Sequence, residues 1–221
     1  MIRPSISGLR PFGSHLPINT NDLPGFSGFV RVNPFQGEHH NGYDFGAYRK
    51  KDDTFVLGLP PGIPICPMAP GIVDTVLVDY EHGFYHQFVT IRHGPTLTSS
   101  YVHIQPTQGL KAGMPVNKQS VLGTLVGLSR RNCREPLKYV RSIYPHLHLT
   151  IEKEGVPINP KERLPFRDLP FHIDERTRLE FPGFDSLLCS RELIQPFLEL
   201  GLVTYEPRWH TYLLANKSRQ G

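Results

Sequence analysis

The chain has few cysteines and lacks long hydrophobic runs. Its 221 residues include three cysteines, Cys66, Cys133 and Cys189, which are widely spaced and form no C-x-x-C pair. This number and spacing predict neither a disulfide framework nor a structural zinc knuckle, and at most one bridge. No stretch approaches the roughly 18 consecutive apolar residues of a membrane-spanning helix. We therefore predict no membrane span.

Long helices are also not expected, because glycine and proline are abundant. The chain has 20 glycines and 22 prolines, and both residue types favour turns over helix interiors. Its 38% hydrophobic and 20% charged residues are ordinary for a globular protein. A net charge of +4 suits a polyanion binder, but aromatic and basic residues are not interleaved as in nucleic-acid-binding modules. We therefore expect a globular domain that does not bind nucleic acid.

Short alternating runs predict a mainly β fold. Residues 73–78, 88–91 and 147–151 are such runs, and glycine and proline separate them. We expect a mostly antiparallel sheet that folds over to make a groove.

Two histidines, His146 and His148, flank one apolar residue in the last of these predicted strands. Side chains two apart in a strand project from the same face, so both imidazoles are predicted to point one way. Leu147 and Leu149 then point into the core behind them. A sheet can build a metal site in this manner.

A second polar pattern lies earlier in the chain, at His40 and Asp44. These residues are an even number apart, and Gly42 between them argues against a helix. The aromatic residues on either side of Asp44 alternate onto the opposite, core-facing side. Imidazole and carboxylate are therefore predicted to share a face, whereas His39, at an odd spacing from Asp44, is predicted to face away.

A third pattern places Tyr101 and His103 on one face of a predicted strand, with Val102 and Ile104 on the other. Three predicted strands thus each offer polar residues on one side. Zinc fits such residues, because a catalytic zinc site typically takes three protein ligands from histidine and carboxylate and leaves one position for water. The chain offers more candidates than three, so some are expected to act as acid, base or hydrogen-bond donor.

Taken in chain order, these motifs resemble the lysostaphin-type (LytM-like) zinc endopeptidases. The resemblance covers roughly residues 24–160 and comprises an H-x-x-x-D, a Y-x-H and an H-x-H motif, with similar strand and turn residues between them. It implies a mainly β fold of the duplicated-hybrid-motif type, an antiparallel folded sheet with a groove. It also implies hydrolysis of peptide bonds in peptidoglycan cross-links or stem peptides, with one Zn²⁺ ion activating a water molecule.

The resemblance also implies a role for each site residue. His40, Asp44 and His148 would hold the metal. His103 and His146 would flank the activated water and the scissile amide, assisting proton transfer and stabilising the oxyanion. Zinc lowers the pKa of its water to about 7 and polarises a carbonyl, and a neutral imidazole is suited to moving the proton.

Two alternatives stay open. A non-catalytic relative that binds cell walls or regulates an amidase would keep the fold but usually lose ligands, whereas all five site residues are present here. A cupin-type metalloprotein is the other alternative, because His146, His148 and Glu152 share strand parity. The downstream Pro182-Gly183 lacks the histidine that a cupin needs there. Asp44 rather than Glu152 is therefore predicted to bind the metal.

The regions around the motifs divide the chain into three predicted parts. These are an N-terminal extension at residues 1–23, a metallopeptidase domain at 24–165 and a C-terminal extension at 166–221. Apolar residues between 187 and 198 have roughly helical spacing, and Gly201 can end that helix. We expect this short helix to dock on the core, since fewer than about 60 residues make a marginal core of their own.

The loop before the H-x-H motif is basic. Residues 128–144 include Arg130, Arg131 and Arg134, whereas the family it resembles usually has a shorter loop rich in glycine, serine and threonine. Clustered cations attract polyanions, so these arginines are candidates for binding an anionic wall polymer. A solvated loop face is the common alternative for such a charge run.

The resemblance implies a location outside the cytoplasm, in the periplasm or cell wall, where peptidoglycan lies. The first ten residues, however, lack the apolar core of a secretion signal. The sequence therefore leaves the export route open.

Overall fold

The computed structural model describes residues 14–31, 33–78, 87–126, 145–170, 179–180, 203–206 and 211–214. Short 3-10 helices lie at Thr20–Asp22, Gly37–His39 and Pro160–Glu162. The strands in these ranges are β1 (Phe26–Phe29), β2 (Tyr43–Phe45), β3 (Ala47–Lys50), β4 (Phe55–Leu57), β5 (Pro64–Ile65), β6 (Gly71–Leu77), β7 (Phe88–Arg92), β8 (Leu97–Val102), β9 (Ile104–Pro106), β10 (Pro115–Val116), β11 (Gly123–Leu125), β12 (Leu147–Lys153), β13 (Val156–Ile158), β14 (Leu179–Glu180), β15 (Val203–Glu206) and β16 (Thr211–Leu214).

The largest sheet has seven strands and carries the predicted site. Its order is β10-β6-β7-β8-β12-β13, and β2 pairs with the first half of β12, next to β13. Every pairing in this sheet is antiparallel. The predicted mainly β, antiparallel fold is therefore confirmed.

Alternation along β7 and β12 explains which face of this sheet is buried. Val89 and Ile91 of β7 are fully buried, as are Leu149 and Ile151 of β12. The residues between them point to the other face and are less buried, apart from Thr150. Burying one apolar face fixes the register of the strands, because a slip of one residue would exchange the two faces. The polar face that carries His148 is thus set by the core behind it.

Two further sheets complete the described fold. A six-stranded sheet has the order β1-β3-β4-β14-β16-β15, in which β14 runs parallel to β4 and the other pairs are antiparallel. A three-stranded sheet has the order β5-β11-β9. Residues 15–18 lie along this smaller sheet, where Ile18 is buried and forms a β-bridge with Ile65.

Residues 160–170 are held against the strand that carries Asp44. Leu169 forms a parallel bridge with Val30, next to β1. The buried carboxylate of Asp168 accepts a hydrogen bond from the hydroxyl of Tyr43 at 2.9 Å and forms an ion pair with Lys161 at 2.5 Å. A buried charge needs such partners, so this segment is fixed by specific bonds as well as by apolar contact.

Several predictions fall outside the described residues. These are the helix at 187–198, the basic loop at 128–144 with Arg130, Arg131 and Arg134, and the cysteines Cys133 and Cys189. Cys66 is described and is a free, partly buried thiol. Within the described ranges, no helix has both the length and the apolar character needed to cross a membrane.

Candidate metal centre

The pairing of β2 with β12 brings Asp44 directly opposite His148. Oδ1 of Asp44 lies 2.8 Å from Nδ1 of His148. The other ring nitrogen of His148, Nε2, lies 3.1 Å from Oγ1 of Thr150, two residues further along the same face. The threonine oxygen can accept the Nε2 proton, which leaves Nδ1 as the ligand atom.

His40 reaches the same point from a turn. It follows the 3-10 helix Gly37–His39, and β2 begins only at Tyr43, so no continuous strand joins His40 to Asp44. The two side chains are neighbours, as the sequence predicted, but a turn brings them together. Nδ1 of His40 lies 2.9 Å from the carbonyl oxygen of Pro34. Because a carbonyl only accepts hydrogen bonds, Nδ1 carries the proton and Nε2 carries the lone pair. This Nε2 lies 3.3 Å from Oδ1 of Asp44.

The predicted metal ligands His40, Asp44 and His148 therefore converge. One ligand atom from each residue lies within 4.8 Å of the others, and they form the one such group found among the described residues. Three electron-rich atoms that face one another favour a cation between them. Two imidazole nitrogens and one carboxylate oxygen fit the donor set of a catalytic zinc site, which keeps a fourth position open.

Glu152 and His39 do not join this group. Glu152 lies on β12 opposite Thr98 and Pro157, four residues beyond His148. His39 is exposed, as its odd spacing from Asp44 predicted. The cupin-type arrangement would need Glu152 as a ligand, so the structure gives it no support.

Gly42 lies so close to His148 that there is no room for a side chain at this position. A Cβ atom at this position would lie 2.6 Å from Nε2 of His148 and 2.7 Å from the carbonyl oxygen of Leu149. Real Cβ atoms essentially never show contacts below 3.0 Å. Glycine thus lets the turn after His40 pass close to β12.

Electrostatics favour an ionised carboxylate beside basic imidazoles. Burial alone would raise the pKa of Asp44, but His148 and His40, which donate hydrogen bonds to it when they are protonated, and the charge of His146 outweigh burial and hold the pKa well below its usual range. The hydrogen bond to Asp44 raises the pKa of His40, against the effect of burial. The carboxylate is therefore ready to bind a cation at any neutral pH.

His146 and His103 lie beside the three predicted metal ligands. Nε2 of His146 is 3.7 Å from Oδ1 of Asp44, and the His146 side chain is only 7% exposed. The rings of His103 and His146 meet edge to face, with centroids 4.6 Å apart. His103 has a φ of 67°, which is uncommon for a residue other than glycine. Backbone bonds to Gln87 and Val126 hold it in this conformation.

The prediction that Tyr101 shares a face with His103 is wrong. Tyr101 is fully buried, and its hydroxyl accepts a hydrogen bond from the backbone N–H of Met68 at 2.7 Å. β8 ends at Val102 and β9 begins at Ile104, and the positive φ of His103 between them interrupts the alternation. Tyr101 and Ile104 therefore both face the core, while the ring of His103 points to His146.

Tyr101 belongs instead to a second histidine network beneath the sheet. Its hydroxyl lies 2.9 Å from Oγ of Ser99, which lies 2.7 Å from Nε2 of His93. Nδ1 of His93 bonds the carbonyl oxygen of Pro70 at 2.9 Å. Both ring nitrogens of His93 are therefore bonded to groups inside the protein.

Two residues near the predicted metal ligands were not predicted from the sequence. Thr150 could have been found, because it shares strand parity with His148 and its hydroxyl can accept a ring proton. Asn33 carried no such signal, since it lies in a loop seven residues before His40. Its amide nitrogen is 2.6 Å from Oδ2 of Asp44 and 3.1 Å from Nε2 of His40.

Comparison with known families identifies one match. The family model "Peptidase family M23" matches residues 38–160, which contain all five predicted site residues. Among curated proteins, none matches this chain in sequence.

Solved structures with a similar fold include several peptidases. One is the catalytic domain of the prophage-encoded M23 protein EnpA from Enterococcus faecalis, at 23% identity and a TM-score of 0.39, covering 61% of this chain and 86% of that one. A zinc-containing peptidase from Vibrio cholerae is 19% identical, with a TM-score of 0.39, covering 65% of this chain and 37% of that one. The antimicrobial peptidase lysostaphin from Staphylococcus simulans is 14% identical, with a TM-score of 0.43, covering 68% of this chain and 52% of that one.

Proposed function

The chain belongs to peptidase family M23, and from this we propose that it is a zinc-dependent endopeptidase acting on peptidoglycan. The bonds cut would be peptide bonds of cross-links or stem peptides. The observation that carries the proposal is the convergence of His40, Asp44 and His148, whose ligand atoms lie within 4.8 Å of one another. The choice of peptidoglycan follows from the motif order shared with lysostaphin-type enzymes.

The three converging residues would hold the ion through Nε2 of His40, Oδ1 of Asp44 and Nδ1 of His148. A zinc ion in such a site acts as a Lewis acid and lowers the pKa of water to about 7. Pro34 and Thr150 fix the protons of the two imidazoles on the nitrogens that face away from this point. The side chains of His40 and His148 are each 16% exposed, so the site is open to solvent while Asp44 beneath them is only 5% exposed.

His146 and His103 would move the proton. Both belong to the ring cluster beside Asp44, and a neutral imidazole can take a proton from water and return one to a leaving amine. The conformation of His103 supports this role, because strained backbone is retained mainly where the surrounding structure enforces it, often at active sites. Ring contact between His103 and His146 lets the two act on the same substrate amide.

The test is clearing of a purified cell-wall suspension by the 221-residue chain. We expect turbidity to fall with time, to stop falling after chelation, and to fall again when zinc is restored. Mass analysis of the released fragments then identifies the bond, and new amino termini within stem or bridge peptides are expected. His103→Ala is expected to slow clearing by about 100-fold or more, since general acid–base catalysis contributes about 10²–10⁴.

Two outcomes would contradict the proposal. Clearing that persists in chelator would exclude a metal-dependent reaction. Wall binding without released fragments, from zinc-loaded protein, would favour the non-catalytic relative that binds walls or regulates an amidase.

We also propose that the basic loop at residues 128–144 binds anionic wall polymers. Arg130, Arg131 and Arg134 are its candidate contacts. Replacing all three with glutamine is expected to weaken wall binding at low salt and to have a smaller effect at high salt, because salt screens exposed charges. Unchanged binding at low salt would contradict this role.

A further inference from the structure

Asn33 contacts two of the three proposed metal ligands at once. Its side-chain nitrogen lies 2.6 Å from Oδ2 of Asp44 and 3.1 Å from Nε2 of His40. The carbonyl oxygen of Asn33 also accepts a hydrogen bond from the backbone N–H of Asp44, at 3.2 Å. The loop is therefore bonded to Asp44 through both its backbone and its side chain.

The orientation of the Asn33 amide follows from its neighbours. An ionised carboxylate can only accept hydrogen bonds, so the group facing Asp44 must be the NH₂. Nε2 of His40 also requires a donor, because Nδ1 of that ring donates to the carbonyl of Pro34 and Nε2 therefore carries the lone pair. The amide oxygen of Asn33 points the other way, 3.5 Å from the side-chain nitrogen of Gln36.

The two oxygens of Asp44 consequently have separate partners. Oδ1 faces the imidazoles, at 2.8 Å from His148, 3.3 Å from His40 and 3.7 Å from His146. Oδ2 is engaged by the short hydrogen bond from Asn33. A metal ion on Nε2 of His40 would displace only the longer of the two Asn33 contacts.

We propose that Asn33 is a positioning residue that holds Asp44 so that only its Oδ1 atom binds the metal. A carboxylate free to bind through both oxygens would fill a second coordination position. Catalytic zinc sites need one position open for water or substrate, so the hydrogen bond from Asn33 would keep the site in its reactive form. The inference rests on the proposed function, because it assumes a metal ion at His40, Asp44 and His148.

The experiment uses the 221-residue chain and three variants. Asn33→Ala removes the donor, Asn33→Gln keeps an NH₂ on a longer side chain, and His39→Ala changes an exposed side chain of the adjacent turn that does not belong to the His40, Asp44 and His148 group. Zinc affinity is measured by competition with a chromophoric chelator. The visible spectrum of the cobalt(II)-substituted protein reports coordination number, because four-coordinate cobalt absorbs far more strongly than five- or six-coordinate cobalt.

We expect Asn33→Ala to weaken zinc binding by about 10- to 100-fold, as is typical for outer hydrogen-bond partners of metal ligands, and to weaken the cobalt absorption. Asn33→Gln is expected to recover part of both signals, and His39→Ala to match the wild type. Thermal unfolding of the metal-free variants separates loss of folding from loss of positioning.

The failures of the two proposals are distinguishable. Wild-type protein that binds neither zinc nor cobalt would overturn the proposed function and this inference with it. Wild-type binding together with an unchanged affinity and cobalt spectrum in Asn33→Ala would overturn the inference alone. A variant that unfolds at lower temperature but keeps the wild-type cobalt spectrum would reduce Asn33 to a structural residue and also overturn it.

Discussion

His40 and His93 are held in the same way at one ring nitrogen and differently at the other. In both rings Nδ1 bonds the carbonyl oxygen of a proline, Pro34 or Pro70, at 2.9 Å. Nε2 of His93 bonds the hydroxyl of Ser99 inside the protein. Nε2 of His40 instead lies 3.3 Å from Oδ1 of Asp44 and 3.1 Å from the amide nitrogen of Asn33.

This difference decides what each histidine can do. Both nitrogens of His93 are occupied by protein groups, and burial lowers its pKa, so it stays neutral and structural. Asp44 raises the pKa of His40, which marks a nitrogen that attracts a cation. Residue type alone therefore does not separate a candidate metal ligand from a structural histidine, whereas the groups around the second nitrogen do.

The largest effects are expected when the imidazole of His40 or of His93 is removed. We expect His40→Ala to abolish zinc binding, with a loss beyond the roughly 10- to 100-fold seen for outer-shell partners. His93→Ala is expected to keep zinc binding but to lose about 1–3 kcal/mol of unfolding free energy, because it removes a hydrogen-bond partner of the buried Ser99 hydroxyl. Chelator competition and urea unfolding measure the two effects. His39→Ala, next to the ligand but exposed, is the control, and zinc loss there would contradict the assignment.

Adding a side chain at Gly42 should disturb both the packing of the turn against β12 and the position of His148. Gly42→Ala would drive a Cβ atom into His148 and the backbone of Leu149, and overpacking of this kind costs about 1–3 kcal/mol. We expect lower stability in urea together with weaker zinc binding. Gly94→Ala is the matched control, since nothing lies within 4 Å of its Cβ position and its φ is not positive. Equal effects at the two positions would show that the contact with His148 is unimportant.

The outer partner of His148 offers a finer test. Thr150→Val keeps the side-chain shape but removes the oxygen 3.1 Å from Nε2, so zinc affinity is expected to fall by about 10- to 100-fold. Thr90→Val removes a hydroxyl that bonds Ser100 rather than a ligand. Its zinc affinity should match the wild type. Identical zinc affinities in both variants would mean that Thr150 does not orient the ring.

The smallest expected effect is on the pH dependence of stability. Burial holds the folded pKa of His93 below its ordinary value of 6.5, so the unfolded chain binds more protons just below pH 6.5. The contribution of His93 to stability is complete above pH 6.5 and falls as the pH drops toward its folded pKa. The contribution of His40 to stability has the opposite pH dependence. Because its folded pKa is raised, this contribution is present at low pH and is lost as the pH rises through that pKa.

Comparing metal-free wild type with His93→Gln isolates this contribution. We expect the difference in unfolding free energy between them to shrink as the pH falls below 6.5, since the variant has no titrating ring. A difference that is constant from neutral pH to about pH 5 would contradict the buried, neutral state of His93.

Much of the candidate site could be predicted from the sequence, because the alternation of side chains along a strand determines which residues share a face. The H-x-H motif places His146 and His148 on one strand end, and the core-facing Leu147 and Leu149 are fully buried as predicted. The H-x-x-x-D spacing also brought together the right pair, His40 and Asp44, although a turn rather than a strand produces the contact.

The prediction from odd and even spacing was wrong where one residue leaves the strand conformation. The positive φ of His103 puts Tyr101 in the core, and no pattern of apolar residues signals such a break. Asn33 was missed for a related reason, because a hydrogen bond from a loop to a distant carboxylate has no period. Strand β14, which pairs in parallel with β4, was not predicted either, since long-range pairing depends on the path of the chain between the two.

The buried ion pair at Asp168 sets a practical limit on how the protein can be shortened. The family match ends at residue 160, yet Asp168 lies eight residues further on and is bonded to Tyr43, the neighbour of Asp44. A fragment cut at the family boundary would lose both this acceptor and Phe166, which packs against the ring of Tyr43, next to Asp44 in β2. Such a fragment is therefore expected to unfold at lower urea concentration than the protein that retains residues 161–170.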